Sequence, residues 1–322
     1  MGLDKLRLVS HRRPSSDFMD QINAELALPT DLRRYVIHFR DPKERAVGRA
    51  TQCSITTKNR LSPFFYLQTN CFLPVNAGIV HVLEMNPNNF HHGFIDLCSL
   101  IDQIFGERSS DLSISRMDLN ADVEVPVDYF RRTLRIPRKR KSAEYQKWDG
   151  LTTHSNRGLT GFSIGRTPSL LRVYDKIGEM KQLKEDISGL PSILTRLEWE
   201  LRHRRCPVRL FSEIEAIADV HPFETVQIVD TPEIYDFLND PSGSLKNFIY
   251  HHLAEQYSGH QAIRILNHNR NFVRDFKPCL IDVSDLKKRL QASYLHGIRR
   301  FFSNQASDVR STFERSAIGS WP

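Results

Sequence analysis

LTRLEWELR, residues 194–202, alternates as a half-buried strand does. Leu194, Arg196, Glu198, Glu200 and Arg202 share one face, because side chains two apart point the same way along extended chain. Thr195, Leu197, Trp199 and Leu201 share the other, which makes Trp199 a core residue. Two further stretches repeat the pattern. Residues 169–177, SLLRVYDKI, set Leu170, Arg172, Tyr174 and Lys176 against Leu171, Val173, Asp175 and Ile177. Residues 111–123, DLSISRMDLNADV, align Ile114, Arg116, Asp118, Asn120 and Asp122. Three such strands predict a mostly antiparallel sheet with one buried and one charged face. A merely solvated face would carry scattered Lys and Thr, which are scarce here.

Working outward, LTGFSIGR (159–166) and the strand at 169 read as a hairpin turning at Thr167 and Pro168. Upstream, RYVIHF, TQCSITTK, PFFYLQTN and GIVHVLEMN (between 34 and 86) are short, β-branched or aromatic, and bounded by Pro, Asn or Gly. Residues 91–105 place Phe94, Leu97, Leu100, Ile101, Ile104 and Phe105 on one helical stripe. Residues 15–34 predict helix, with Ser15 and Ser16 as caps and Pro29 as interruption, and 126–135 predict a short helix. Past residue 210 the pattern turns helical: LFSEIEAIADV, TPEIYDFL, GSLKNFIYHHLAEQY and DVSDLKKRLQASYLHGIRRFF. The expectation is an α+β fold with helices on one face of the sheet. It divides into an N-terminal helical arm (1–34), a catalytic domain (35–212) and a helical C-terminal region (213–322). There is no repeat at solenoid spacing.

The 322 residues are 40% hydrophobic and 26% charged, a globular balance. Apolar runs fall far short of the roughly 20 residues that span a bilayer, so no membrane partner is expected. Charges in MGLDKLRLVSHRRPSSD occupy the place of a signal-peptide core, and five scattered cysteines without a CxxC pair suit a reducing compartment; the expected location is cytoplasmic. Net charge is +7. Segments 131–141 (RRTLRIPRKRK) and 196–209 together carry +10, leaving the remainder at −3. Such focusing suits a polyanion bound at one place. The basic segment and 148–158 read as an exposed connection.

Carboxylates at one focus suit a hard divalent cation such as Mg²⁺ or Mn²⁺. Arginines beside them suit phosphate, which the planar guanidinium grips bidentately. A tyrosine among cations can serve as a nucleophile, since positive neighbours lower the phenol's proton affinity and favour the phenolate. Together these suggest phosphoryl transfer on nucleic acid. No GxxxxGK[ST] loop is present to suggest an ATPase. The neighbouring pairs His91/His92 and His251/His252 point about 100° apart on a helix and do not make a shared metal site. His154 lies in a loop where it could touch phosphate.

RMDLNADV (116–123), GFSIGRTPSLLRVYDKIGEM (161–180) and RLEWELR (196–202), in this order, resemble the replication initiation factor family. These are the rolling-circle initiators of small plasmids and phages, with related relaxases of mobile elements. Arg116, Asp118 and Asp122 match its Arg-x-Asp-x-x-x-Asp strand; Phe162, Gly165 and Arg166 match its aromatic-x-x-Gly-x-Arg stretch; Arg172, Tyr174, Lys176 and Glu179 match Arg-x-Tyr-x-Lys-x-x-Glu; Arg196 and Glu198 match Arg-x-Glu. The likeness covers residues 35–215. Phe162 stands where many relatives have tyrosine, and the His-hydrophobic-His pair of the broader superfamily is missing.

The resemblance implies a relaxase-like nicking domain that attacks origin DNA, partly single-stranded, through Tyr174. It implies a divalent metal on Asp118, Asp122, Glu198 and Glu200, and phosphate held by Arg116, Arg172, Lys176 and Arg196, with Glu179 completing the motif. DNA backbone would lie on Arg131, Arg132, Arg135, Arg138, Lys139, Arg140, Lys141 and Arg166. A host helicase and a second copy of the chain are the implied partners. The alternatives are a metal-dependent nuclease using activated water and a non-catalytic DNA-binding regulator.

Overall fold

The computed structural model describes residues 2–29, 32, 35–39, 53–57, 65–72, 79–90, 93–106, 112–137, 139, 141–145, 160–183, 185–229 and 280–303. Ten strands form one antiparallel sheet. In chain order they are β1 (Leu3–Ser10), β2 (Tyr35–Phe39), β3 (Cys53–Thr57), β4 (Phe65–Phe72), β5 (Ile79–Met85), β6 (Ser113–Val123), β8 (Lys141–Tyr145), β9 (Gly161–Arg166), β10 (Ser169–Asp175) and β11 (Thr195–Arg202). A short β7 (Leu134–Arg135) joins β12 (Gln227–Val229) and β13 (Leu280–Ile281) in a separate three-stranded sheet. Among the described residues the helices are α1 (Ser16–Ala27), α2 (Gly93–Phe105), α3 (Val127–Thr133), α4 (Lys176–Gln182) and α5 (Ser284–Phe302).

The order across the large sheet is β2-β3-β4-β5-β1-β6-β11-β10-β9-β8. Each half opens on the strand that lies at the centre, β1 or β6. Each then runs through a helix and returns by a meander whose last strand, β5 or β11, pairs with the opening one. The halves meet through the antiparallel β1–β6 pair, where Arg7 stands opposite Arg116. The two halves thus share one topology, although nothing in the sequence repeats at a fixed period.

One face of the sheet is the core. Leu6, Met117, Leu119, Ala121, Leu197, Trp199, Leu171, Val173, Phe162 and Ile164 pack in one cluster with Leu97, Ile101 and Ile104 of α2 and Leu286, Leu290, Tyr294 and Ile298 of α5. The expected stripe on α2 and the expected core role of Trp199 are both present. α5 lies against β6, α2 and the 3₁₀ turn Phe211–Asp219, so it belongs to the core of the sheet. The approach is close: a Cβ on Gly2 would come within 2.7 Å of the Ile298 amide nitrogen.

Three expectations are corrected. Leu3–Ser10, assigned to a helical arm, is a strand at the centre of the sheet. Its backbone is paired on both sides and Leu3, Leu6 and Leu8 are buried, so charge at its other positions hid a strand that is apolar on one face only. The segment 131–141 is not a free connection, for it supplies the end of α3, β7 and the start of β8. Lys176 does not extend β10: Asp175 caps α4, its Oδ1 accepting from the Gly178 amide at 3.0 Å, and Lys176 is the first residue of that helix. The hairpin at Thr167–Pro168 is as expected, and α1 begins at the expected Ser15 cap. The helices expected between 230 and 279, His91/His92 and His154 lie outside the described residues.

Candidate active site on the charged face

The register of the three patterned strands builds the site. β6 and β11 pair so that Asp118 faces Glu200, Asn120 faces Glu198 and Asp122 faces Arg196. β10 then sets Arg172 beside Glu198 and Tyr174 beside Arg196. Next to Arg172 stands Ser163 of β9, and beyond β6 stand Lys5 and Arg7 of β1. Charges that alternation placed on separate strands therefore interlock on one surface.

Most of that surface is buried. Arg196 is 1% exposed, and its guanidinium is held on three sides: Nε and Nη2 donate to the two oxygens of Asp122 at 2.6 and 2.7 Å, and Nη1 donates to Asp4 at 2.8 Å. Arg116 donates to both oxygens of Asp118 at 2.8 and 2.6 Å and to Glu200 at 3.1 Å. Arg172 donates to Glu198 Oε1 at 2.5 Å and also pairs with Glu200, whose other oxygen accepts from Arg202 at 2.6 Å. Tyr174, 2% exposed, donates its hydroxyl to Glu198 Oε2 at 3.0 Å. Lys176 and Glu179, one helical turn apart, pair at 2.9 Å. Beyond β6, Lys5 and Arg7 both pair with Glu84 of β5.

Burial and partners set the proton affinities. Burial raises Tyr174 well above the usual phenol range and outweighs the nearby Arg196 charge. The expected lowering of the phenol by neighbouring cations is thus overridden by desolvation. Burial also raises Glu198, and the Asp4 and Asp118 carboxylates add to it against Arg172 and Arg196. Asp118 is raised by burial in spite of Arg116. Burial pushes Asp122 the same way, but the two-point grip of Arg196 reverses it, leaving the carboxyl below its usual range. Desolvation would lower Arg196, yet Asp122 and Asp4 hold it well above its ordinary value. A buried pair of this kind stabilises little by itself; losing one partner is what costs.

The donor set tests the implied metal. Both oxygens of Asp118, Asp122, Glu198 and Glu200 already accept from an arginine or from Tyr174. Asp118 and Asp122 are satisfied by different arginines rather than turned to a common point. Among the described residues, no group of three or more His, Cys, Asp or Glu side chains is arranged to hold an ion. On these three strands Asn120, 1% exposed, offers a buried oxygen without a commitment, neither end of its amide having a partner among the described residues. One amide oxygen falls well short of the roughly six ligands a hard cation takes. In this arrangement the four carboxylates do not fit a divalent ion unless an arginine is displaced.

The expected backbone contacts divide. Arg166 is exposed at the hairpin turn, where Gly165 adopts a positive φ of 87° and a Cβ would meet the Ser169 carbonyl at 2.8 Å. Lys139 is committed inside the fold: Nζ donates to the Ser169 carbonyl at 2.8 Å and sits 5.1 Å from the Trp199 ring centroid. Arg135 donates to the Leu134 carbonyl, and burial lowers it to about 10. Arg131 pairs with Asp128 at 3.5 Å. The side chains of Arg132, Arg138, Arg140 and Lys141 lie outside the described residues.

Sequence reasoning missed Asp4. It lies where the β1–β6 register shifts, and it accepts from Arg196 and, at 2.6 Å, from Asn88. The only signal was its place in a charged stretch that did not read as strand. No helix among the described residues is long and apolar enough to cross a membrane. No protein-family model matches the chain, and no curated protein matches it.

Proposed function

We propose that this face nicks DNA and transfers the strand to Tyr174. The observation that carries the reading is the hydrogen bond from the Tyr174 hydroxyl to Glu198 Oε2, a nucleophile set on a carboxylate at 3.0 Å. Burial keeps the phenol protonated at rest, so its proton leaves as the bond forms rather than before. A raised Glu198 is the better base for that transfer. The phenol oxygen attacks phosphorus, its proton passes to Glu198, the bond to the 3′ oxygen breaks, and that oxygen takes a proton from water. The products are a 5′ phosphotyrosine and a 3′-OH. Arg172 and Arg196 flank the hydroxyl and neutralise charge on the phosphoryl oxygens. Arg172 is more open than Tyr174 or Arg196, its side chain 24% exposed, so the strand enters on its side and the attack requires Tyr174 to be uncovered.

The motif resemblance supports an origin-nicking initiator of rolling-circle replication in the cytoplasm. A host helicase and a second copy of the chain would be its partners. Wild-type protein incubated with a 5′-trapping suicide oligonucleotide and a Mg²⁺ or Mn²⁺ series forms a denaturation-resistant adduct if the reading is right. A nick without an adduct assigns the chemistry to activated water instead.

A second reading has its own observation. Every carboxylate of the face is answered by an arginine or the phenol, as a purely structural charge lattice would be. On that reading the chain is a non-catalytic DNA-binding regulator. It binds origin DNA and leaves supercoiled plasmid intact under every metal condition.

A further inference from the structure

β11 ends at Arg202, and the chain leaves it through His203, whose φ of 50° lies in the left-handed region that side chains seldom adopt. That turn begins the 3₁₀ segment His203–Arg205 and puts His203, Arg204 and Arg205 at the surface. Arg209 follows, also exposed. The β9–β10 turn lies alongside: Ser169 pairs with Arg166 on one side and Leu201 on the other, and the Arg202 amide donates to the Pro168 carbonyl at 2.9 Å. Arg166 is therefore about 10 Å across the sheet from the end of β11.

Among the described residues, Arg166, Arg204, Arg205 and Arg209 are exposed and their side chains have no hydrogen-bond or ion-pair partner. The nearest carboxylates along the chain do not answer them: Glu200 is taken by Arg116, Arg172 and Arg202, and Glu213 belongs to the following 3₁₀ turn. The left-handed turn at His203 presents Arg204 and Arg205, the hairpin presents Arg166 and the start of β6 holds Arg209, whose carbonyl accepts from the Ile114 amide at 2.7 Å; unpaired arginines along neighbouring strand ends call for an anionic partner. Arg202 lies on the charged face and pairs with Glu200, so the end of β11 borders that face, whereas Arg166 alternates with Phe162 and Ile164 and reaches the strand ends from the other side of the sheet. From Ser169 to Tyr174 along β10 is about 17 Å, or about five nucleotides at the rise of a nucleic-acid strand.

We infer that Arg166, Arg204, Arg205 and Arg209 form a phosphate-binding rim that carries the nucleic-acid strand to the charged face. The inference rests on the nucleic-acid reading above and moves the main backbone contact away from 131–141, where Lys139 and Arg135 are tied to backbone carbonyls. Arginine forks suit phosphodiester oxygens, which recur along a strand at spacings that a lone acidic side chain of a protein partner does not offer.

The test is fluorescence anisotropy with an uncleavable, mixed-sequence single-stranded oligonucleotide in EDTA, across a salt series. Each phosphate contact contributes about 0.7 to the slope of log K against log salt for a single strand, so R166Q/R204Q/R205Q/R209Q loses about 2–3 in slope. Lys287→Gln, at a cation of α5 that pairs with Glu224, keeps the wild-type slope. The four arginines have no partners to lose, so the variant melts as the wild type does; should it fail to fold, R204Q and R205Q alone each lower the slope by about 0.7. An unchanged slope overturns the rim, as does a variant that loses only its binding to anionic vesicles or to an acidic protein. The adduct assay separates this from the catalytic reading. Salt-dependent binding through the rim without an adduct leaves the rim standing and removes the nuclease. An adduct with an unchanged slope removes the rim alone.

Discussion

Tyr174→Phe removes one oxygen from a side chain that is 2% exposed. No cavity larger than that atom is left, so the packing cost is small. The electrostatic cost is larger, because the hydroxyl donates to Glu198 Oε2 inside the fold. A hydrogen bond to a charged group contributes about 1.5–3 kcal/mol. Glu198 retains Arg172 on its other oxygen at 2.5 Å and relieves part of the loss by taking up a proton, which places the expected cost at the low end, about 1–2 kcal/mol. Thermal unfolding should then shift down by roughly 2–6 °C. Activity should respond out of all proportion: no adduct forms, while binding of the uncleavable strand is unchanged. Glu198→Gln separates base from nucleophile. It preserves an acceptor for Tyr174 and should slow adduct formation by about 10²–10⁴. In the wild type, adduct formation should climb with pH through the raised Glu198 value, since only the carboxylate takes the proton, and the glutamine variant should lack that limb. The assay is single-turnover trapping on a suicide oligonucleotide at a series of pH values. Persistence of the 5′ adduct in Tyr174→Phe refutes the assignment.

Asp122→Asn weakens the grip on Arg196, which is 1% exposed, and should destabilise by about 3–5 kcal/mol near neutral pH in denaturant titrations. Because Asp122 is lowered in the fold, its contribution is complete above the unfolded carboxyl value near 4 and fades as pH falls through the folded one. The gap between variant and wild type should therefore narrow in acid. Asp4→Ala leaves Arg196 Nη1 without its acceptor and should cost about 1–3 kcal/mol, whereas a residue in an N-terminal arm would cost nothing measurable. Lys139→Met should lower stability by about 1 kcal/mol through the lost Ser169 carbonyl contact. If divalent ions enter by displacing an arginine, Mn²⁺ should shift the melting temperature of wild type more than that of Asp118→Asn; equal shifts would place the ion elsewhere.

Alternation by itself determined the three charged strands, because a period of two is visible in any stretch that buries one face and exposes polar groups on the other. The α2 stripe, the Ser15 cap and the turn at Thr167–Pro168 were legible for the same local reasons. What alternation cannot carry is register. That Asp122 faces Arg196 and Asp118 faces Glu200 is a matter of which residue of β6 stands opposite which residue of β11, and hydrogen bonds between segments some 80 residues apart decide it. Register turned a supposed open cluster of carboxylates into closed pairs. Burial, which no single strand reports, raised the Tyr174 phenol despite its cationic neighbours. β1 was hidden because Asp4, Lys5 and Arg7 mask its pattern; only pairing with β5 and β6 on both sides makes that sequence a central strand. The shared topology of the two halves was hidden too, since pairing order is a property of the folded sheet and leaves no period in the chain. Sequence determined which residues could share a face; the tertiary structure decided which of them touch, because contact depends on partners that lie far away along the chain.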